Sequence, residues 1–211
     1  MDFGIKQLAA EGATLFHLYD KWDRLRFVAD QGSPWLIDKP GHYVRLARTD
    51  GHLVASLNLP WVEEREEEVE ENGRFPLSYA ILIDHAVYAV IEVYPQDNWF
   101  VLEVEENRWL LMPNKEAPGY DLLDNAPSTF RLKTKTFEAI AAEPIGQFEM
   151  GAFGYDVGAT WPKKRPLRRP AILTLAVAVL MKKFGARETV ADLASPRSKN
   201  AETMPGLEIK S

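Results

Sequence analysis

The clearest hydrophobic period along the chain is two. Leu53, Ala55, Leu57 and Leu59 alternate with Val54, Ser56 and Asn58, which places one apolar face inward and a more polar face outward on an extended strand. A second extended run, Tyr43–Arg48, precedes it, and Asp50-Gly51 between the two is the strongest hairpin signal in the chain. Arg24–Ala29 runs into a turn at Asp30-Gln31-Gly32-Ser33, and Trp35–Asp38 is followed by Pro40-Gly41. Tyr79–Tyr94, rich in Ile, Val and Tyr, stops at Pro95; it is too long for one ordinary strand, and Asp84-His85 marks a bend. Trp99–Val104 and Arg108–Met112 flank Glu105-Glu106-Asn107. Phe130–Thr136, Ile145–Met150 and Phe153–Trp161 complete the series. Many short strands at near-regular spacing predict an all-β barrel or sandwich.

Two segments depart from that period. Ile5, Leu8, Leu15, Leu18 and Trp22 fall at roughly helical spacing, so residues 1–23 are expected to form an N-terminal helical segment, weakened by Gly12. The second departure is stronger. Pro170 opens the run Ala171–Met181, which is followed by Lys182, Lys183 and Gly185. Proline suits a first helical position, glycine a C-terminal cap, and lysines the negative end of a helix dipole. The segment therefore reads as a helix over about 170–184 with Ile172, Leu173, Leu175, Val177, Val179 and Leu180 as core. It is apolar on every side and must be enclosed. Eleven residues rise only about 16 Å, roughly half a bilayer core, so enclosure by the protein is the expectation. Residues 188–211 read as a flexible tail, leaving residues 24–187 as the barrel with its helix.

An apolar helix that closes a meander of strands is unusual, and it is satisfied if the sheet wraps around it. Phe153-Gly-Tyr-Asp-Val-Gly-Ala-Thr-Trp-Pro162, the basic linker after it and Ala171–Met181 resemble the final strand and buried helix of the tubby C-terminal-like superfamily, which includes the phospholipid scramblase-like and LURP-one-related proteins. The strands around Asp50-Gly51 look like its early hairpins. The resemblance spans roughly residues 24–185. It implies a closed barrel of about twelve strands around a central C-terminal helix. It also implies a binding or scaffold module, because tubby-like members use basic side chains on the barrel to bind phosphoinositide head groups. The chain has neither the cysteine cluster of the animal scramblases nor their Pro-rich N-terminal segment, and is more similar to the soluble members.

Composition narrows the chemistry. The 211 residues include no cysteine, which removes disulfides, thiolate catalysis and thiolate zinc sites. The opening MDFGIKQLAAEG has no basic start followed by an apolar stretch, so a soluble cytoplasmic protein is expected. The net charge of -6 argues against nucleic acid as a partner. That charge is unevenly placed. Seven glutamates and Arg65 lie within 61–71, a solvated acidic run, whereas 151–187 holds eight Lys or Arg against Asp156.

Phosphate-loop, dinucleotide, nucleophile-elbow and zinc-protease motifs are absent from the sequence. His17, His42, His52 and His85 show no metal-ligand spacing, and no metal or cofactor is expected. Asp84 and His85 are neighbours on a strand-like segment, which sends them to opposite faces and suits a bend better than an acid–base pair. Asp20 and Asp23 with Glu103 or Asp121 are the carboxylates that a glycosidase reading would need, without spacing that favours it. Trp22, Trp35, Trp61, Trp99, Trp109 and Trp161 suit barrel packing, or else a sugar-stacking platform.

The most informative feature is the linker with Lys163, Lys164, Arg165, Arg168 and Arg169. Each such cation near an anionic bilayer contributes about 1 kcal/mol. The expected partner is therefore anionic phospholipid, a membrane surface reached peripherally, or another anionic partner. The bland alternative is a solubilising loop. Two other functions remain open from sequence: a small-molecule carrier or enzyme with a pocket at a barrel end, and a tryptophan-based carbohydrate-binding domain.

Overall fold

The structure, a computed structural model, describes residues 1–10, 13–30, 43–58, 77–95, 97–114, 116–124, 126 and 143–185. Twelve antiparallel strands close into a barrel: β1 (Phe3–Ala10), β2 (Ala13–Asp20), β3 (Leu25–Asp30), β4 (Tyr43–Arg48), β5 (Leu53–Asn58), β6 (Leu77–Ile83), β7 (Ala86–Tyr94), β8 (Trp99–Val104), β9 (Asn107–Pro113), β10 (Gly119–Leu123), β11 (Gly146–Met150) and β12 (Val157–Thr160). Each strand pairs with its neighbours in sequence, and β1 pairs with β12 to close the ring. One helix, α1 (Pro170–Leu180), follows, with a π-helical turn over Met181–Gly185.

Alternation along the strands builds the interior. Tyr79, Ile91, Leu102 and Trp109 stand side by side across β6 to β9, each buried. Helix α1 lies among these side chains: every residue from Ile172 to Leu180 is buried, and all belong to the same apolar cluster as the strand interiors, apart from Thr174. Ile172, Leu173, Leu175, Val177, Val179 and Leu180 are thus core, as the pattern predicts. A helix apolar all round is stable here because the closed sheet covers every side of it.

The predicted N-terminal helix is not formed. Residues 3–20 are two strands of the barrel, so the division at residue 23 disappears and the barrel begins at Phe3. The physical reason is a mirrored pattern: Ile5 faces Leu18 and Leu8 faces Leu15 across the hairpin. Apolar positions that suit one helical face equally suit cross-strand partners. β1 is needed to close the ring, and closure removes both unpaired sheet edges. Gly4 permits this seam, since a Cβ there would lie 2.6 Å from the Tyr155 ring.

Asp84 and His85 form the two-residue turn between β6 and β7, both at positive φ (49° and 65°), as a tight hairpin requires. The expected strand from Phe153 begins only at Val157, because Ala152–Gly154 form a 3-10 turn. β10 has no counterpart in the sequence pattern. The expected strands Trp35–Asp38 and Phe130–Thr136, the acidic run 61–71 and the tail 188–211 lie outside the described residues. Among the described residues, no helix is long and apolar enough to cross a membrane.

Candidate functional site

Antiparallel order puts the β2–β3, β4–β5, β6–β7 and β8–β9 turns at one end of the barrel. β12 runs toward that same end, so the linker of residues 162–169 lies there and α1 enters the barrel from it. Two main-chain N–H groups of the linker are docked on the barrel. The Arg168 N–H donates to Glu105 Oε1 at 3.0 Å, and the Arg169 N–H donates to the Tyr88 hydroxyl at 3.2 Å. Burial holds the Tyr88 phenol above its ordinary value, helped by the Glu105 charge and opposed by the Arg169 hydrogen bond and the Arg169 and Arg168 charges.

An open cavity of about 530 Å³ lies beside the start of α1. Among the described residues five arginines line it: Arg24 and Arg26 from β2–β3 and β3, Arg48 from the end of β4, and Arg168 and Arg169 from the linker. Phe3, Phe27, Val54 and the first turn of α1 supply its apolar wall. Asp20, 8% exposed, is the acidic residue of the lining. Its carboxylate accepts from the N–H groups of Trp22 (3.0 Å) and Arg24 (3.1 Å) and from Arg24 Nε (2.9 Å), with Arg26 at 3.6 Å. Burial works against the charge of Asp20, but the Arg24 side chain, the two N–H donors and the Arg24 charge outweigh it, so the carboxyl sits below its ordinary range. Arg48, Arg168 and Arg169 form no ion pair with a described carboxylate. Trp22, 64% exposed, stands at the rim with Lys21 Nζ 4.4 Å and the Arg24 guanidinium 4.6 Å from its ring centre.

The helix end makes this arrangement electrostatically unfavourable on its own. The N-terminus of a helix carries positive partial charge and favours anions. The N-cap of α1 is nevertheless Arg169, without a side-chain cap, and no acidic residue occupies the first turn.

The structure divides the predicted basic set. Arg168 and Arg169 reach the cavity, whereas Arg165 is paired with Asp124 at 2.7 Å and Lys163 and Lys164 are exposed outside its lining. Arg24, Arg26 and Arg48 escaped the sequence reading, because only strand pairing brings them to the linker; Arg48 lies opposite Phe27 across β3 and β4.

Each carboxylate considered for sugar hydrolysis is engaged by a neighbouring side chain. Asp20 holds Arg24, Asp23 accepts from the Tyr155 hydroxyl, Glu103 pairs with Arg108, and Asp121 accepts from Asn114. Trp109 and Trp161 are core residues, so a stacking row of tryptophans is not formed by the described ones. Among the described residues, no group of three or more His, Asp or Glu is placed to hold a metal ion. No protein-family model, curated protein or solved structure matches the chain.

Proposed function

We propose that the chain is a non-enzymatic binding or scaffold module of the tubby C-terminal-like, LURP-one/scramblase-like type, and that it receives an anion at the linker end of its barrel. The observation that carries this reading is the collection of arginines at the positive end of α1, with Asp20 the one carboxylate among the described residues of the lining. Like charges gathered at a helix N-terminus conflict with local stability, and such conflicts are expected where a ligand resolves them. On this reading the protein works in the cytoplasm and meets membranes peripherally when anionic phospholipid is the ligand.

The test is co-sedimentation with neutral and phosphatidylserine-containing vesicles at low and high salt, together with titration by soluble anions. A variant with Lys163, Lys164, Arg165, Arg168 and Arg169 changed to Ala is the comparison. Binding that needs an anion, weakens with salt and is lost in the variant supports the reading. Equal behaviour of the two proteins toward every anion contradicts it.

The cavity itself favours one second reading, a small-molecule carrier with its pocket at a barrel end. A ligand that binds tightly without charge, and indifferently to the arginines, would select that reading.

A further inference from the structure

We infer that the cavity at the linker end is a built site for a compact, multiply charged phosphoryl group, an organic diphosphate in chemical class, with its organic remainder against the apolar wall. This rests on the anion-binding reading above and adds the ligand's chemistry to it. Three features of the cavity argue for it.

First, among the described residues five guanidinium groups share the lining with one carboxylate, and even with Glu105 beside the Arg168 N–H the set stays cationic. A singly charged anion leaves most of that positive charge unbalanced, whereas a diphosphate brings several negative charges into one small volume. Second, every cation among the described residues of the lining is arginine. The planar guanidinium matches two phosphoryl oxygens at once, and it is the side chain suited to bidentate recognition rather than diffuse attraction. Third, these arginines come from three separate parts of the fold and Asp20 anchors two of them, so the positions are set by the barrel. The exposed Lys163 and Lys164 would serve a flat anionic surface equally well, yet they lie outside the cavity. The cavity of about 530 Å³ exceeds what inorganic pyrophosphate fills, and Phe3, Phe27 and Val54 offer the surplus to an apolar or aromatic group. The same chemistry occurs in free esters and in lipid head groups.

The experiment is calorimetric titration of the full-length chain with inorganic pyrophosphate at constant ionic strength. Orthophosphate and phosphatidylserine vesicles are titrated in parallel. Two variants accompany it, Arg168→Gln/Arg169→Gln and Lys163→Gln/Lys164→Gln, each first shown to melt cooperatively and no lower than the parent. The expected result is one saturable site for pyrophosphate, bound at least about tenfold more tightly than orthophosphate. The arginine variant should weaken it by about tenfold or more, and the lysine variant by less than about twofold.

Pyrophosphate binding that is absent, or equally sensitive to both variants, overturns the diphosphate site. If phosphatidylserine vesicles then still bind with salt dependence, the broader anion reading survives; if they do not, both fall. Adenosine diphosphate and phosphatidylcholine vesicles containing diacylglycerol pyrophosphate distinguish the free from the lipid-borne source, and tighter binding of either than of pyrophosphate supports the apolar wall's role. Weaker binding of both than of pyrophosphate removes that role and overturns the organic part of the proposal.

Discussion

The indole N–H of Trp161 donates to the hydroxyl oxygen of Thr174 at 2.6 Å. Thr174 in turn donates to the Pro170 carbonyl at 2.8 Å, and the Trp161 N–H of the main chain donates to Asp2 Oδ2 at 2.9 Å. This chain of bonds joins the N-terminus, the residue after the last strand and the first turn of α1. Trp161 also packs edge-on against Phe148 and beside Trp109, so the bond is buried in the core. Changing Thr174 to Val keeps the shape and removes the acceptor, leaving a buried N–H unpaired. The expected loss is about 1–3 kcal/mol in urea denaturation, with Thr174→Ser costing less.

Val177 is fully buried at the middle of α1. An unpaired carboxylate there has no water and no partner, and cores do not tolerate that. Val177→Asp should abolish cooperative melting. Retention of the parental melting temperature would contradict the placement of the helix inside the barrel.

Gly4 and Tyr155 make the seam between β1 and the segment before β12. Gly4→Ala would bring a methyl group into the Tyr155 ring, and its expected destabilisation is about 1–3 kcal/mol. Tyr155→Ala removes the obstacle, so the double variant should recover part of the loss that the two single changes add up to. Simple additivity in the double-mutant cycle would show that the two residues do not share the seam.

Asp20 gives a pH signature. Its folded value lies below the ordinary 3.8, because the Arg24 side chain and the N–H donors of Arg24 and Trp22 outweigh the opposing effect of burial. A lowered carboxyl value means that folding favours the charged form. That contribution is complete above the unfolded value and is lost as pH falls through the lower folded one. Asp20→Asn should therefore be less stable than the parent at neutral pH, and the difference should shrink below about pH 4. A difference that stays constant across that range would show that the Asp20 charge does not contribute to stability.

The fold was largely legible because both of its main signals are intrinsic to short stretches. Alternation in Leu53–Asn58 or Trp99–Val104 needs no knowledge of partners, and an eleven-residue apolar helix states its own need for enclosure. The N-terminal hairpin was not legible because Ile5, Leu8, Leu15 and Leu18 satisfy both a helical face and mirrored strands, and only barrel closure decides between them. β10 was missed because its five residues carry just two buried side chains, Tyr120 and Leu122. The site was half legible for a related reason. Arg168 and Arg169 belong to a visible cation run, but Arg24, Arg26 and Arg48 join them through strand pairing across residues far apart in sequence.

On the proposed function, Arg169 is kept at the positive end of α1 for binding and at a cost to stability. Arg169→Asp tests this most directly, because aspartate suits a helix N-terminus and removes a repelled cation. The expected result is a gain of about 1 kcal/mol, or roughly 2–4 °C in melting temperature, together with weaker binding of anionic ligands. A variant that melts below the parent and binds anions as the parent does would contradict it.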